Sequence, residues 1–140
     1  TAYTPYQPEV SQGMLQAMWE FQTLISELTG LAVSNVSVYD GSTAAAEAIT
    51  AAHRIHNRKA KQQDVVYVSE LTPPSRMSVI RNYTQGGGIE IRTLGHNSDG
   101  TLDLAAAEKA EGACGVYVEQ PNPLGLLDSG LVQLKEIKLD

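Results

Sequence analysis

The stretch of this 140-residue chain best equipped for chemistry runs from Val36 to Glu47, Val-Ser-Val-Tyr-Asp-Gly-Ser-Thr-Ala-Ala-Ala-Glu. Alternating apolar positions lead into Asp40-Gly41, and a strong helix-forming run follows. The pattern predicts a strand, a tight turn and a helix N-terminus. Such an N-terminus presents unpaired N–H groups and the positive end of the helix dipole, which together form an anion cup. Gly41, Ser42 and Thr43 are small enough to let a phosphate approach. Asp40 stands beside them, and its carboxylate would repel one. The simpler reading is a self-capped helix, with Asp40 or Ser42 taking the first free N–H groups.

Other chemistries find less support. His53 and His56 lie three apart on one helix, but no third metal ligand accompanies them, so they read as surface histidines. His96 falls in a polar turn and reads as exposed. Gly86-Gly87-Gly88 follows a helix and precedes a strand, which makes it a helix end with a turn and not a phosphate loop. No nucleophile-elbow sequence offers a start for a Ser-His-Asp triad. The single cysteine, Cys114, excludes an intrachain disulfide; in its apolar segment it reads as a buried, inert thiol.

Ten basic residues stand against 16 acidic ones, for a net charge of −6. That balance argues against nucleic acid or an anionic membrane as the main partner. Arg54, Arg58, Lys59 and Lys61 form the one basic cluster, at a helix end where they complement the dipole. Nothing resembles a signal peptide or a membrane span.

The elements that would position these residues follow from periodicity. Met14, Met18, Phe21, Ile25 and Leu28, widened by Leu15, Trp19 and Leu24, make one face of a helix from Pro8 to Leu28. The stripe reads as core, with Gly30 at the C′ position. A short strand is expected at Asn35 to Tyr39, then a helix from Ser42 to about Arg58. Val65 to Ser69 reads as a buried strand, and Thr72-Pro73-Pro74-Ser75 opens a helix running to about Tyr83. Ile89 to Leu94 reads as a strand and Leu102 to Ala110 as a short helix capped by Asp103. Val116 to Glu119 reads as a fourth strand, followed by the rigid loop Gln120 to Gly125 and a helix near Ser129. Strands alternating with helices predict a three-layer α-β-α fold with a mostly parallel sheet and right-handed crossovers. The expectation is one folding unit over 1–140, a partial domain whose sheet continues elsewhere.

Several segments together resemble one family. Tyr3-Thr4-Pro5-Tyr6-Gln7-Pro8-Glu9-Val10-Ser11-Gln12-Gly13 is similar to the P-protein family of the glycine cleavage system. So are Phe21-Gln22-Thr23, Glu27-Leu28-Thr29-Gly30, Tyr39 to Ala48, and the loop Gln120-Pro121-Asn122-Pro123-Leu124-Gly125. Within the family the likeness is to the α-type copy, subunit 1 of the two-chain bacterial enzyme, or to the N-terminal half of the fused form.

The resemblance implies part of the large domain of a fold-type-I enzyme that depends on pyridoxal 5′-phosphate (PLP). The implied reaction is glycine decarboxylation with transfer of the aminomethyl group to the lipoyl group of the H-protein. It implies a partner, the β-type subunit 2, which carries the PLP-bearing lysine, and a location in the bacterial cytoplasm. The α-type copy is catalytically degenerate, so Gly41, Ser42 and Thr43 would be an inherited phosphate cup that no longer holds phosphate. Consistently, Lys59, Lys61, Lys109, Lys135 and Lys138 all fall in polar settings unlike the desolvated site of a Schiff-base lysine. One departure concerns Pro73-Pro74, where the family often shows His-Pro. Tyr3, Tyr6, Gln7 and Glu9 are expected either to line a shared active site or to fix a docking arm. The rival readings are a non-catalytic scaffold and a fragment of another fold-type-I enzyme such as an aminotransferase.

Overall fold

The computed structural model describes residues 6–59, 62–110 and 112–135. They fall into two compact units that divide between Tyr39 and Asp40.

The first unit holds a 3-10 turn, Pro8–Val10, and helix α1, Gln12–Thr29. The single helix expected from Pro8 is therefore a turn and a helix joined at Ser11. Gly30 ends α1 with φ 70°, in the left-handed region that glycine adopts most readily, and its N–H bonds Ser26 O at 2.9 Å. The Gln22 side chain donates to Ser34 O at 2.8 Å and folds the following segment back along the helix. Two expectations fail here. No residue of α1 is buried, so its apolar stripe is not core. Asn35 to Tyr39 forms no strand, because no neighbouring strand pairs with it.

The second unit is the α/β layer structure. Helix α2, Gly41–Lys59, leads to strand β1, Val65–Ser69. Helix α3, Pro74–Gln85, strand β2, Glu90–Leu94, helix α4, Leu104–Glu108, and strand β3, Ala113–Tyr117, follow. A 3-10 segment, Ser129–Lys135, closes the described chain where a helix was expected. The described strands thus number three, in the order β2-β1-β3, and all pair in parallel. Val66 aligns with Ile91 on one side and Gly115 on the other.

The alternation of β1 builds two faces. Val66 and Val68 join Ala45, Ala46 and Ile49 of α2, Ile80 of α3, Ile89 and Cys114. The small side chains of α2 allow close approach: a Cβ on Gly115 would stand 3.8 Å from the Ala52 Cβ. Tyr67 points the other way, to Leu94, Leu102, Leu104, Ala107 and Leu131. Helices therefore cover both sheet faces, and the three-layer α-β-α architecture holds. Cys114 is 8% exposed, its thiol donates to Val65 O at 3.3 Å, and burial pushes its pKa up, as befits an inert thiol.

Candidate functional site

The strand order creates a crevice. From β1 the chain crosses through α3, on the same face as α2, to one edge of the sheet. From β2 it returns through α4, on the other face, to β3 at the opposite edge. The segments leaving β1 and β3 therefore diverge beyond two adjacent C-terminal strand ends. In open α/β sheets ligands bind at such a switch point. The N-terminus of α2 lies at this same end, because α2 runs antiparallel to β1.

Asp40 settles the geometry of the cup. Its Oδ1 accepts the Thr43 N–H at 2.7 Å, an N-cap that occupies the donor an anion would use. The Thr43 backbone bond, helped by the Thr43 side chain, holds the carboxyl below its ordinary range, and the positive charge of Arg76 contributes. Arg76, from the first turn of α3, reaches over the cup: a Cβ on Gly41 would lie 3.6 Å from its Nη2. Its Nη1 pairs with Glu119, just beyond β3, and this bond raises the Arg76 pKa. Glu119 also accepts the Tyr117 hydroxyl at 3.3 Å. Tyr117 is in register with Val68 and so faces α3, where burial pushes its phenol upward. The crevice is thus spanned by an Asp40–Arg76–Glu119–Tyr117 array joining α2, α3 and the end of β3.

The post-β3 loop is fastened from below. Gln120 donates to Asp128 O at 3.0 Å and accepts the Asp128 N–H at 3.1 Å. Asn122 donates to Gly100 O at 3.0 Å and accepts the N–H groups of Leu124 and Leu126. Asp128, 7% exposed, takes the N–H groups of Leu102 and Gly130, each at 2.8 Å. Amide and carboxylate side chains thus supply backbone partners to the Gln120–Gly125 loop where no ladder can.

The histidines depart from expectation. His53 is not a surface residue: its side chain is 14% exposed and its Nε2 sits 2.7 Å from Asp64 Oδ1. That hydrogen bond holds Asp64 below its ordinary range. His56 is half-buried as well. Both lie toward the C-terminus of α2, at the opposite end of the sheet from the crevice. His96 is not exposed either; its side chain keeps 8% of its accessibility, because the His96–Leu102 bridge folds the turn back onto the sheet. Among the described residues no three His, Cys, Asp or Glu side chains gather as metal ligands.

Tyr6, Gln7 and Glu9 are exposed around the Pro8–Val10 turn of the first unit, while Tyr3 lies outside the described residues. Lys59 and Lys109 are exposed at the ends of α2 and α4 farthest from the crevice. Lys61 and Lys138 lie outside the described residues. Sequence reasoning missed Arg76, Tyr117 and Glu119. The signal that could have found them is positional: Arg76 opens the helix after β1, Tyr117 ends β3 and Glu119 lies two residues beyond it.

A family model described as glycine cleavage system P-protein matches residues 1–138. The probable glycine dehydrogenase (decarboxylating) subunit 1 of Pyrococcus abyssi is 49% identical over 138 residues, which is 98% of this chain and 30% of that protein. Its namesake in Oceanobacillus iheyensis is 48% identical over 130 residues, covering 91% and 28%. A crystal structure of glycine decarboxylase, the P-protein of the glycine cleavage system, in inhibitor-bound form, superposes with a TM-score of 0.77 at 43% identity. That match covers 92% of this chain and 28% of the other. The chain accordingly spans about 30% of the length of the curated relatives it matches. Fold, parallel sheet and sequence agree, and the chain belongs to the glycine cleavage system P-protein family.

Proposed function

We propose that this chain is part of a glycine dehydrogenase (decarboxylating), on the side of subunit 1, and works only with a lysine-bearing subunit 2. The reaction is PLP-dependent glycine decarboxylation with passage of the aminomethyl group to the lipoyl arm of an H-protein. The observation that carries this reading is the near-complete match to subunit 1 relatives at 48–49% identity.

The cofactor itself, which supplies an electron sink when bound, does not fit the residues described here. The cup at Gly41, Ser42 and Thr43 is capped by Asp40, and a phosphate there would meet that carboxylate. Arg76, the nearby cation, is already paired with Glu119. Lys59 and Lys109 lie at helix ends away from the crevice. We therefore read the cup as degenerate and this chain as architecture for a site completed elsewhere, to which Tyr3, Tyr6, Gln7 and Glu9 contribute from the N-terminal arm.

The test is glycine–bicarbonate exchange in the full two-subunit enzyme supplied with lipoylated H-protein. Replacing Tyr3 and Tyr6 by Phe and Glu9 by Gln is expected to cut exchange at least about tenfold while assembly persists, the loss of roughly one hydrogen bond to a charged group. Unchanged exchange with intact assembly would favour the scaffold reading. A PLP absorbance band on this chain alone would overturn the degenerate cup.

A further inference from the structure

In the crevice that does not suit the cofactor, the donors are taken by the chain's own carboxylates. Asp40 Oδ1 accepts the Thr43 N–H at 2.7 Å, at the head of the 19-residue helix α2. Arg76, from the first turn of α3, extends over the same cup, its Nη2 3.6 Å from where a Gly41 Cβ would stand. Both oxygens of Glu119 are engaged on this face of the sheet, Oε2 by Arg76 Nη1 and Oε1 by the Tyr117 hydroxyl at 3.3 Å. The Arg76 and Glu119 side chains keep only 28% and 18% of their accessibility, so water screens the pair incompletely.

The array has the order carboxylate–guanidinium–carboxylate, with a single cation between two anions. A phosphate at a helix N-terminus is held by free N–H groups, by the helix dipole and by a neighbouring cation. All three exist here, and two side chains divert them. Asp40 takes the N–H and faces the dipole, while Glu119 takes the cation. The positive charge of Arg76 also acts on Asp40 across the cup. Arg76 Nε is buried and has no partner among the described residues, so the guanidinium holds a donor beyond the one Glu119 uses. A helix cap needs a carboxylate alone. The guanidinium above it and the second carboxylate are additional.

We propose that Asp40 and Glu119 are the specificity-determining residues that keep a phosphate-bearing cofactor out of this chain, and that the anion cup beneath them is closed and not lost. Neutralising both carboxylates returns the Thr43 N–H and the Arg76 guanidinium to a phosphate. The inference rests on the reading of the cup as degenerate and deepens it. It assigns that degeneracy to two side chains, each acting on a separate donor.

The probe is inorganic phosphate, added at millimolar concentration to the intact chain at neutral pH. ¹H–¹⁵N spectra follow the Thr43 amide and the Arg76 Nε–H. Asp40→Gly removes the carboxylate and leaves an acceptable residue at the helix start. Glu119→Gln keeps the shape of the Arg76 and Tyr117 partner without the charge. The parent is expected to show no saturating shift. Each single variant should gain about tenfold in phosphate affinity, the worth of removing one near-contact like charge at a protein surface, and the double variant about a hundredfold. Asp40→Asn in place of Asp40→Gly retains the capping oxygen, and with Glu119→Gln the Arg76 Nε–H shift is still expected. If both double variants keep the dispersed amide spectrum of the fold and neither shows a saturating shift, this inference is overturned while the degenerate cup stands. Saturation in the parent overturns both. Shifts that sodium chloride reproduces at equal ionic strength overturn the recovered phosphate site.

Discussion

Helices α1 and α2 have nearly equal lengths, 18 and 19 residues, and opposite environments. Helix α1 carries the large apolar side chains, yet Trp19 is 72% exposed and Leu28 82%. Helix α2 is rich in alanine and nevertheless buries Ala45, Ala46 and Ile49 against the sheet. The difference shows that amphipathic strength does not decide burial. A helix is buried when a complementary surface meets it, and small side chains make that meeting close. The large stripe of α1 buries none of its residues. The alanine face of α2 is the one that sets the Asp40 cap at the crevice.

The sharpest test of this contrast is a cavity in the α2–sheet core. Ile80 is fully buried between α3 and the sheet, in the cluster that contains Ala45 and Ile49. Ile80→Ala should cost about 2–5 kcal/mol, the range for deleting a buried aliphatic side chain. Urea denaturation of the intact chain measures it. A cost below about 1 kcal/mol would mean that this core is loosely packed and that the contrast with α1 is overstated.

Elements whose pairing partners lie within the chain were legible before the structure. Val65 to Ser69 was readable to the residue, because a β-branched run bounded by polar residues fits little else. Helix α2 and the Asp103 cap, which takes the Ala106 N–H at 3.0 Å, were equally plain. The failures share a cause. Val36 and Val38 alternate like a strand, but alternation records a preference for one covered face and cannot supply a neighbouring strand. His96 sits in a turn of polar residues, and only its bridge to Leu102 reveals that the turn packs inward. The Arg76–Glu119 pair joins residues that no spacing rule connects; the switch in strand order brings them together. The α-β-α fold was therefore readable, whereas the crevice array required topology.

The next effect is smaller and depends on pH. The Asp40 carboxyl is held below its ordinary value of 3.8, chiefly by the Thr43 N–H. Its contribution to stability is therefore present above about pH 4 and is lost as pH falls through the lowered folded value. Asp40→Asn keeps a capping oxygen but removes the charge, so the melting temperature of the variant should fall less steeply than that of the parent between pH 5 and pH 2. Parallel curves would show that Asp40 contributes nothing as an ion, and the electrostatic argument against a phosphate at the cup would lose its footing.

The smallest expected effect belongs to α1. Leu28→Ala removes as much apolar volume as Ile80→Ala, but from a side chain that is largely in water already. Alanine is at least as good a helix former as leucine, so the helix itself should not suffer. The change in stability should stay within about 0.5 kcal/mol by urea denaturation. A loss approaching that of Ile80→Ala would break the comparison outright. It would place Leu28 in a packed interior in solution, and α1 would then owe its stability to the same burial as α2.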